Sequence, residues 1–126
     1  MKSVLIVDDD AASLKLAETM LEAEGYETRT ATGPGEALEI LKSWQPEAIL
    51  LDIQLQGLDN GLEFARRLKA NVATSRTPVI AYTAYGDGRT EAEARAAGCE
   101  AYLQKPVTAH KLAETIRRST RVTGPE

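Results

Sequence analysis

A doubly wound α/β fold, with five parallel strands in the order 2-1-3-4-5 and five helices on the two faces, is what this sequence predicts. Three observations carry it. Short apolar runs alternate with segments of helical periodicity, as successive strand-helix units do. The runs Val4-Leu5-Ile6-Val7, Ala48-Ile49-Leu50-Leu51 and Val79-Ile80-Ala81-Tyr82 are continuously apolar, the mark of strands covered on both faces. Short connections and right-handed crossovers then favour the open, doubly wound arrangement.

Each element has its own signal. Ser3 to Val7 is a strand running straight into Asp8-Asp9-Asp10. Leu14, Ala17, Met20 and Leu21 recur at helical spacing, and Gly25 ends that helix. Tyr26 to Thr30 alternates and is rich in Thr and Tyr, which predicts a half-exposed second strand. Gly33-Pro34 opens the next helix, with Ala37, Leu38 and Leu41 as its inner stripe and Trp44 and Pro46 marking the exit. The strand Ala48 to Leu51 stops abruptly at Asp52. A loop rich in turn formers, Ile53 to Asn60, leads to a third helix from Gly61 carrying Leu62, Phe64, Ala65 and Leu68. After the loop Asn71 to Thr77, Pro78 begins a fourth strand that ends at Thr83. Gly86-Asp87-Gly88 loosens the connection to an Ala-rich fourth helix, about Thr90 to Ala97, closed by Gly98. Ala101-Tyr102-Leu103 is a brief fifth strand leading to Lys105-Pro106. Thr108 caps the last helix, in which Leu112 and Ile116 face inward, and Arg121 to Glu126 reads as a frayed tail.

Composition narrows the class. The 126 residues suit one domain spanning 1–126, with a core of about 2–119 and a tail of 120–126. Fifteen basic against nineteen acidic residues give a net charge of -4, which argues against nucleic acid or an anionic membrane as main partner. The single Cys99 excludes an internal disulfide and reads as small core filler, and no Cys or His cluster suggests zinc. His110, the one histidine, reads as a surface residue. Nothing resembles a signal peptide or a membrane span, so a cytoplasmic location is expected.

The chemistry lies at the carboxyl ends of the strands, where the crevice of such sheets lies. They present Asp8 and Asp9, then Asp52, Thr83 and Lys105. With the first, third and fourth strands adjacent, three carboxylates, a hydroxyl and an ammonium should converge. One capping acid would serve a helix, so three in a row exceed that need. Crowded carboxylates raise each other's pKa or recruit a cation. An oxygen-only donor set suits Mg²⁺, with Mn²⁺ as a substitute. Asp52 could then keep one oxygen on the ion while the other attacks a phosphoryl group. Lys105 and the Thr83 hydroxyl would hold the spreading charge.

Over residues 2 to 119 the chain resembles receiver domains of bacterial two-component response regulators, a flavodoxin-like (CheY-like) fold. The resemblance rests on Val4-Leu5-Ile6-Val7-Asp8-Asp9-Asp10, Leu50-Leu51-Asp52, Pro78-Val79-Ile80-Ala81-Tyr82-Thr83-Ala84 and Ala101-Tyr102-Leu103-Gln104-Lys105-Pro106, in that order. It implies Asp52 as phosphoacceptor, Asp8 and Asp9 at the metal with Asp9 the more direct, and the Gln54 carbonyl as a further ligand. Thr83 would be the switch hydroxyl, Lys105 the phosphate-binding lysine before a cis bond to Pro106, and Tyr102 an aromatic that turns inward as Thr83 moves. The donor would be a histidine kinase or a histidine phosphotransfer protein. Output would pass by protein contact through the fourth helix, fifth strand and last helix to an unidentified downstream protein, from a monomer or a phosphorylation-dependent dimer. Slow self-catalysed hydrolysis would return the resting state.

The sequence also departs from the family. Leu55-Gln56 stands where receivers commonly have Met-Pro, and Asp59-Asn60-Gly61 stretches their Asp-Gly by one residue. Gln54 and Tyr85 resemble the pair that tunes access of hydrolytic water, and a bulky Tyr85 would shield the acyl phosphate. Two other functions remain open at this point. A phosphohydrolase of the haloacid dehalogenase type would use Asp8-Asp9-Asp10 as its Asp-x-Asp, but it would leave Asp52 idle and lacks a cap segment. A pseudo-receiver would keep the fold without the phosphorylation, although every acidic, hydroxyl and lysine position is filled.

Overall fold

The computed structural model describes residues 2–54, 61–84 and 88–123. Strands β1 (Ser3–Val7), β2 (Glu27–Ala31), β3 (Ala48–Leu51), β4 (Val79–Thr83) and β5 (Ala101–Gln104) alternate with helices α1 (Ala11–Ala23), α2 (Pro34–Leu41), α3 (Gly61–Ala70), α4 (Gly88–Ala96) and α5 (Ala109–Thr123). The sheet is parallel throughout and its order is β2-β1-β3-β4-β5, as the sequence predicts.

Alternation along the three inner strands divides the core into two layers. Leu5, Val7, Ile49, Leu51, Val79 and Ala81 face Ala37 and Leu41 of α2, Phe64, Ala65 and Leu68 of α3, and Ala94 of α4. Val4, Ile6, Ala48, Leu50, Ile80 and Tyr82 face Leu14, Ala17 and Leu21 of α1 and Leu112, Ala113 and Ile116 of α5. Both faces are therefore covered, which is why these strands carry no polar alternation. The edge strand β2 does alternate, between exposed and half-buried residues.

Three boundaries differ from the sequence reading. Tyr26 precedes β2 because it closes α1: its amide donates to the Leu21 carbonyl at 3.0 Å, and that of Gly25 to Glu22 at 3.1 Å. Gly25 sits at φ +89° between them, and Tyr26 packs in the same buried layer as Leu21. This is the paired 6→1 and 5→2 ending of a Schellman motif. Helix α4 begins at Gly88, two residues before the expected start, since one more glycine at a first turn costs little. Helix α5 runs on to Thr123, past the Arg121 at which fraying was expected, because no glycine or proline interrupts the sequence before Gly124.

Among the described residues no helix is long and apolar enough to cross a membrane. Exposed His110 and buried Cys99 stand as the sequence suggests.

Candidate functional site

The acidic residues are held by the sheet itself. Beyond the last paired residue of three strands, the backbone ladder continues for one more bond: Asp8 N–H donates to the Ala31 carbonyl (3.0 Å), Asp52 N–H to Val7 (2.9 Å) and Lys105 N–H to Thr83 (2.7 Å). Asp8, Asp52 and Lys105 are thus each the first residue beyond a strand, with the backbone fixed by one further ladder bond.

Two carboxylates are oriented alike. Oδ1 of Asp8 accepts from the Asp10 amide at 2.9 Å, and Oδ1 of Asp52 from the Gln54 amide at 2.9 Å. These turns two residues long, of the kind Asp commonly makes, leave both Oδ2 atoms facing the Lys105 ammonium. Nζ lies 2.8 Å from Oδ2 of Asp8 and 3.4 Å from Oδ2 of Asp52. It also donates to the Ser13 hydroxyl at 3.2 Å and lies 4.9 Å from the centroid of the Tyr82 ring. Asp8 is 2 % exposed and Asp52 9 %.

Burial pushes the Asp52 carboxyl up from its ordinary value and Asp8 adds to that, against the Gln54 amide and Lys105. Burial alone would lower Lys105, but its bonds to Asp8 and Asp52 prevail and raise it, so it is an ammonium at neutral pH.

Carboxylate oxygens of Asp8, Asp9 and Asp52 lie within 4.8 Å of one another. Asp9 is exposed, which leaves the cluster a solvent-facing side. An oxygen-only set of this size can hold a hard divalent ion that keeps several waters. Asp10, the third acid of the run, has the local role: it caps α1, its Oδ2 accepting from the Ser13 amide at 2.9 Å.

Among the other expected residues, Thr83 is fully buried at the end of β4, opposite Gln104 in the ladder. Half-buried Tyr102 pairs with Ala81 and packs against the α2-α3-α4 layer, behind the crevice rather than in it. Gln54 touches the site through its amide. The peptide bond from Lys105 to Pro106 is cis, as the resemblance implies. Leu55, Gln56, Asp59, Asn60 and Tyr85 lie outside the described residues.

Three contributors have roles that the sequence leaves open, Tyr82 and Gly61 standing there only within motifs. Ser13 and Tyr82 meet the lysine, and Gly61 lies against the acceptor strand. A β-carbon at Gly61 would come within 2.7 Å of the Asp52 carbonyl oxygen and of the Ile53 carbonyl carbon, and would also meet Ile53 Cα. Only glycine fits so close to backbone. The helical position of Ser13, three residues after a capping acid, was the available signal for that residue.

An acid cluster, a buried acceptor carboxylate and a lysine before a cis proline at the carboxyl edge of such a sheet define a class, and the chain belongs to it. The profile of the response regulator receiver domain matches residues 4–117, so this is a CheY-like receiver of two-component signalling. The polar-differentiation response regulator DivK of Brucella ovis is 43% identical over 117 residues, covering 92% of this chain and 94% of that protein. A CheY-like receiver domain protein from Methanospirillum hungatei superimposes with a TM-score of 0.85 at 31% identity, covering 98% of this chain and 96% of the other. The receiver domain of the sensor histidine kinase PA1611 from Pseudomonas aeruginosa, solved with a magnesium ion coordinated in its active-site cleft, gives 0.85 at 27% identity, covering 95% and 98%. Receiver domains are signalling domains rather than conventional enzymes, and they work with kinase or phosphotransfer partners.

Proposed function

We propose that this receiver takes a phosphoryl group from a histidine kinase or a histidine phosphotransfer protein onto Asp52. The observation that carries the reading is the inequality of two carboxylates around one ammonium. Asp8 has both oxygens engaged, at 2.9 and 2.8 Å, whereas among the described residues Oδ2 of Asp52 has the longer 3.4 Å contact alone. Asp52 is therefore the better nucleophile, and its burial leaves the carboxylate underhydrated and more basic. The haloacid dehalogenase alternative needs the reverse.

In the step itself Oδ2 of Asp52 bonds to phosphorus as the bond from phosphorus to the donor imidazole nitrogen breaks. The electron pair returns to that nitrogen. Oδ1 stays on the Gln54 amide, which fixes the carboxylate plane. Lys105, already protonated, follows the charge onto a phosphoryl oxygen, and the Thr83 hydroxyl supplies a second donor as its loop reorders. Asp8, Asp9, Asp52 and the Gln54 carbonyl would hold Mg²⁺, or Mn²⁺ in its place; when bound the ion neutralises phosphoryl charge that such transfer spreads over its oxygens. Water would later hydrolyse the acyl phosphate, with Tyr85 restricting its approach.

The added charge, about two units near neutral pH, would be relayed by Thr83 and Tyr102 to the face formed by α4, β5 and α5. Within α4 only Ala94 is buried, so that helix is held by little. Output by protein contact from this face fits the net charge of -4. A cytoplasmic setting belongs to the same proposal.

The test is uptake of one phosphoryl group from acetyl phosphate with Mg²⁺, followed by intact mass, and borohydride trapping to find the modified aspartate. Wild type should be labelled at Asp52, and Asp52→Asn not at all. Labelling of Asp52→Asn at the normal rate would remove Asp52 from its role, and label trapped on Asp8 would favour the phosphohydrolase.

A further inference from the structure

Lys105 has more partners than its part in the reaction requires. An ammonium has three N–H donors. Two point to Oδ2 of Asp8 and to the Ser13 hydroxyl, at 2.8 and 3.2 Å. The third faces Oδ2 of Asp52 at 3.4 Å, the longest of the three. The ring of Tyr82 lies against the same ammonium, 4.9 Å away at its centroid, within the range at which a ring face attracts a cation. The Lys105 side chain is only 17% exposed, so this contact is largely desolvated.

The core does not require a ring at this position. Residue 82 belongs to the layer packed on α1 and α5, whose other strand residues, Ile6, Ile80, Leu50 and Leu103 among them, are aliphatic. Burial pushes the phenol of Tyr82 up from its ordinary value, with Lys105 opposing and Asp8 and Asp52 adding to the rise, so the ring meets the lysine as a neutral phenol. Ser13, in the first turn of α1, accepts from the same ammonium at 3.2 Å.

We infer that Tyr82 and Ser13 are positioning residues for Lys105: with Asp8 they hold its ammonium beside Asp52, leaving one donor, the one with the longest bond, to be exchanged for a phosphoryl oxygen. A free lysine side chain has four carbons of rotational freedom to lose when it binds an anion. Here the loss is already made in the resting state. The inference rests on the reading of Lys105 as the phosphoryl-binding lysine, and it goes beyond that reading by assigning the side chains that keep the lysine in place.

Two measurements on the full chain test it. The first is the proton shift of the Lys105 ε-methylene by nuclear magnetic resonance, which a ring face moves upfield and a merely space-filling residue does not. The shift should be present in wild type and Tyr82→Phe and lost in Tyr82→Leu. The second is calorimetric titration with beryllofluoride in the presence of Mg²⁺. Tyr82→Leu should bind about fivefold more weakly, the factor of one partly desolvated cation–π contact, and Tyr82→Phe should restore binding to within about twofold because it keeps the ring face. Ser13→Ala, at a helix surface where loss of folding is not at issue, should weaken binding about threefold through one lost hydrogen bond.

An unchanged Lys105 resonance in Tyr82→Leu, or equal affinity in wild type, Tyr82→Leu and Ser13→Ala, overturns the inference alone. Wild-type protein that takes up no beryllofluoride overturns the acceptor reading and the inference with it.

Discussion

Asp52 is the residue at which folding and function pull in opposite directions. Its folded carboxyl holds a proton more tightly than the unfolded one, whose ordinary value is 3.8, mainly because of burial. The stability it lends is therefore complete below that value and is lost as pH rises through the higher folded value. In chelator, Asp52→Asn should consequently unfold at a higher temperature than wild type at about pH 7, and the gap should close as pH falls toward about 4. Unfolding temperatures of both proteins across that range check it, and a constant gap would contradict it. Lys105 has its own window: its contribution is present below 10.5 and is lost as pH rises through the raised folded value. Cys99 takes no part in the chemistry. Burial pushes its thiol up to about 12, so at neutral pH it should resist iodoacetamide in the folded protein and react on unfolding; prompt alkylation of native protein would show that the pocket opens.

At the level of elements, two contacts separate support of the site from support of the fold. Gly61 joins α3 to the backbone at Asp52 and Ile53 with no room for a β-carbon. Gly61→Ala should cost about 1–3 kcal/mol, as overpacking does, and should also weaken beryllofluoride binding because the strain falls on the acceptor segment. At the opposite end of the sheet, Glu100 accepts from the Val79 amide at 2.8 Å and from Lys69 at 2.7 Å, while Lys69 also donates to the Thr77 carbonyl at 3.1 Å. These bonds tie α3 to the starts of β4 and β5. Glu100→Ala should cost a similar ~1–3 kcal/mol by leaving donors unmatched and should leave beryllofluoride affinity unchanged. Urea unfolding and calorimetry on both variants test the distinction, and it is refuted if Glu100→Ala loses affinity as much as Gly61→Ala does.

For the molecule as a whole, divalent-ion binding should appear as stability, since the three carboxylates converge only when β1 and β3 are paired. Mg²⁺ at a hundredfold excess over its dissociation constant should add about 2.7 kcal/mol, raising the unfolding midpoint by several degrees. Asp9→Asn should lose most of that gain while keeping its fold, because Asp9 is exposed; a midpoint indifferent to Mg²⁺ in wild type would argue against a site there. Much of this was legible beforehand. Unbroken apolar runs announced β1, β3 and β4, and the acids and lysine after them marked the crevice, because burial on both faces leaves a compositional trace and strand ends carry what the core rejects. Tyr26 was misread as strand since a residue closing a helix and one opening a strand look alike until Leu21 is seen bonded to it. Sequence by itself determined the class of fold, the order of its elements and the identity of Asp8, Asp9, Asp52, Thr83 and Lys105 as candidates. Only tertiary structure decided that Asp10 caps a helix, that Asp52 keeps the less engaged oxygen, and that Ser13 and Tyr82 grip Lys105. The last two depend on distances between residues up to 97 positions apart, and local pattern carries no information about such distances.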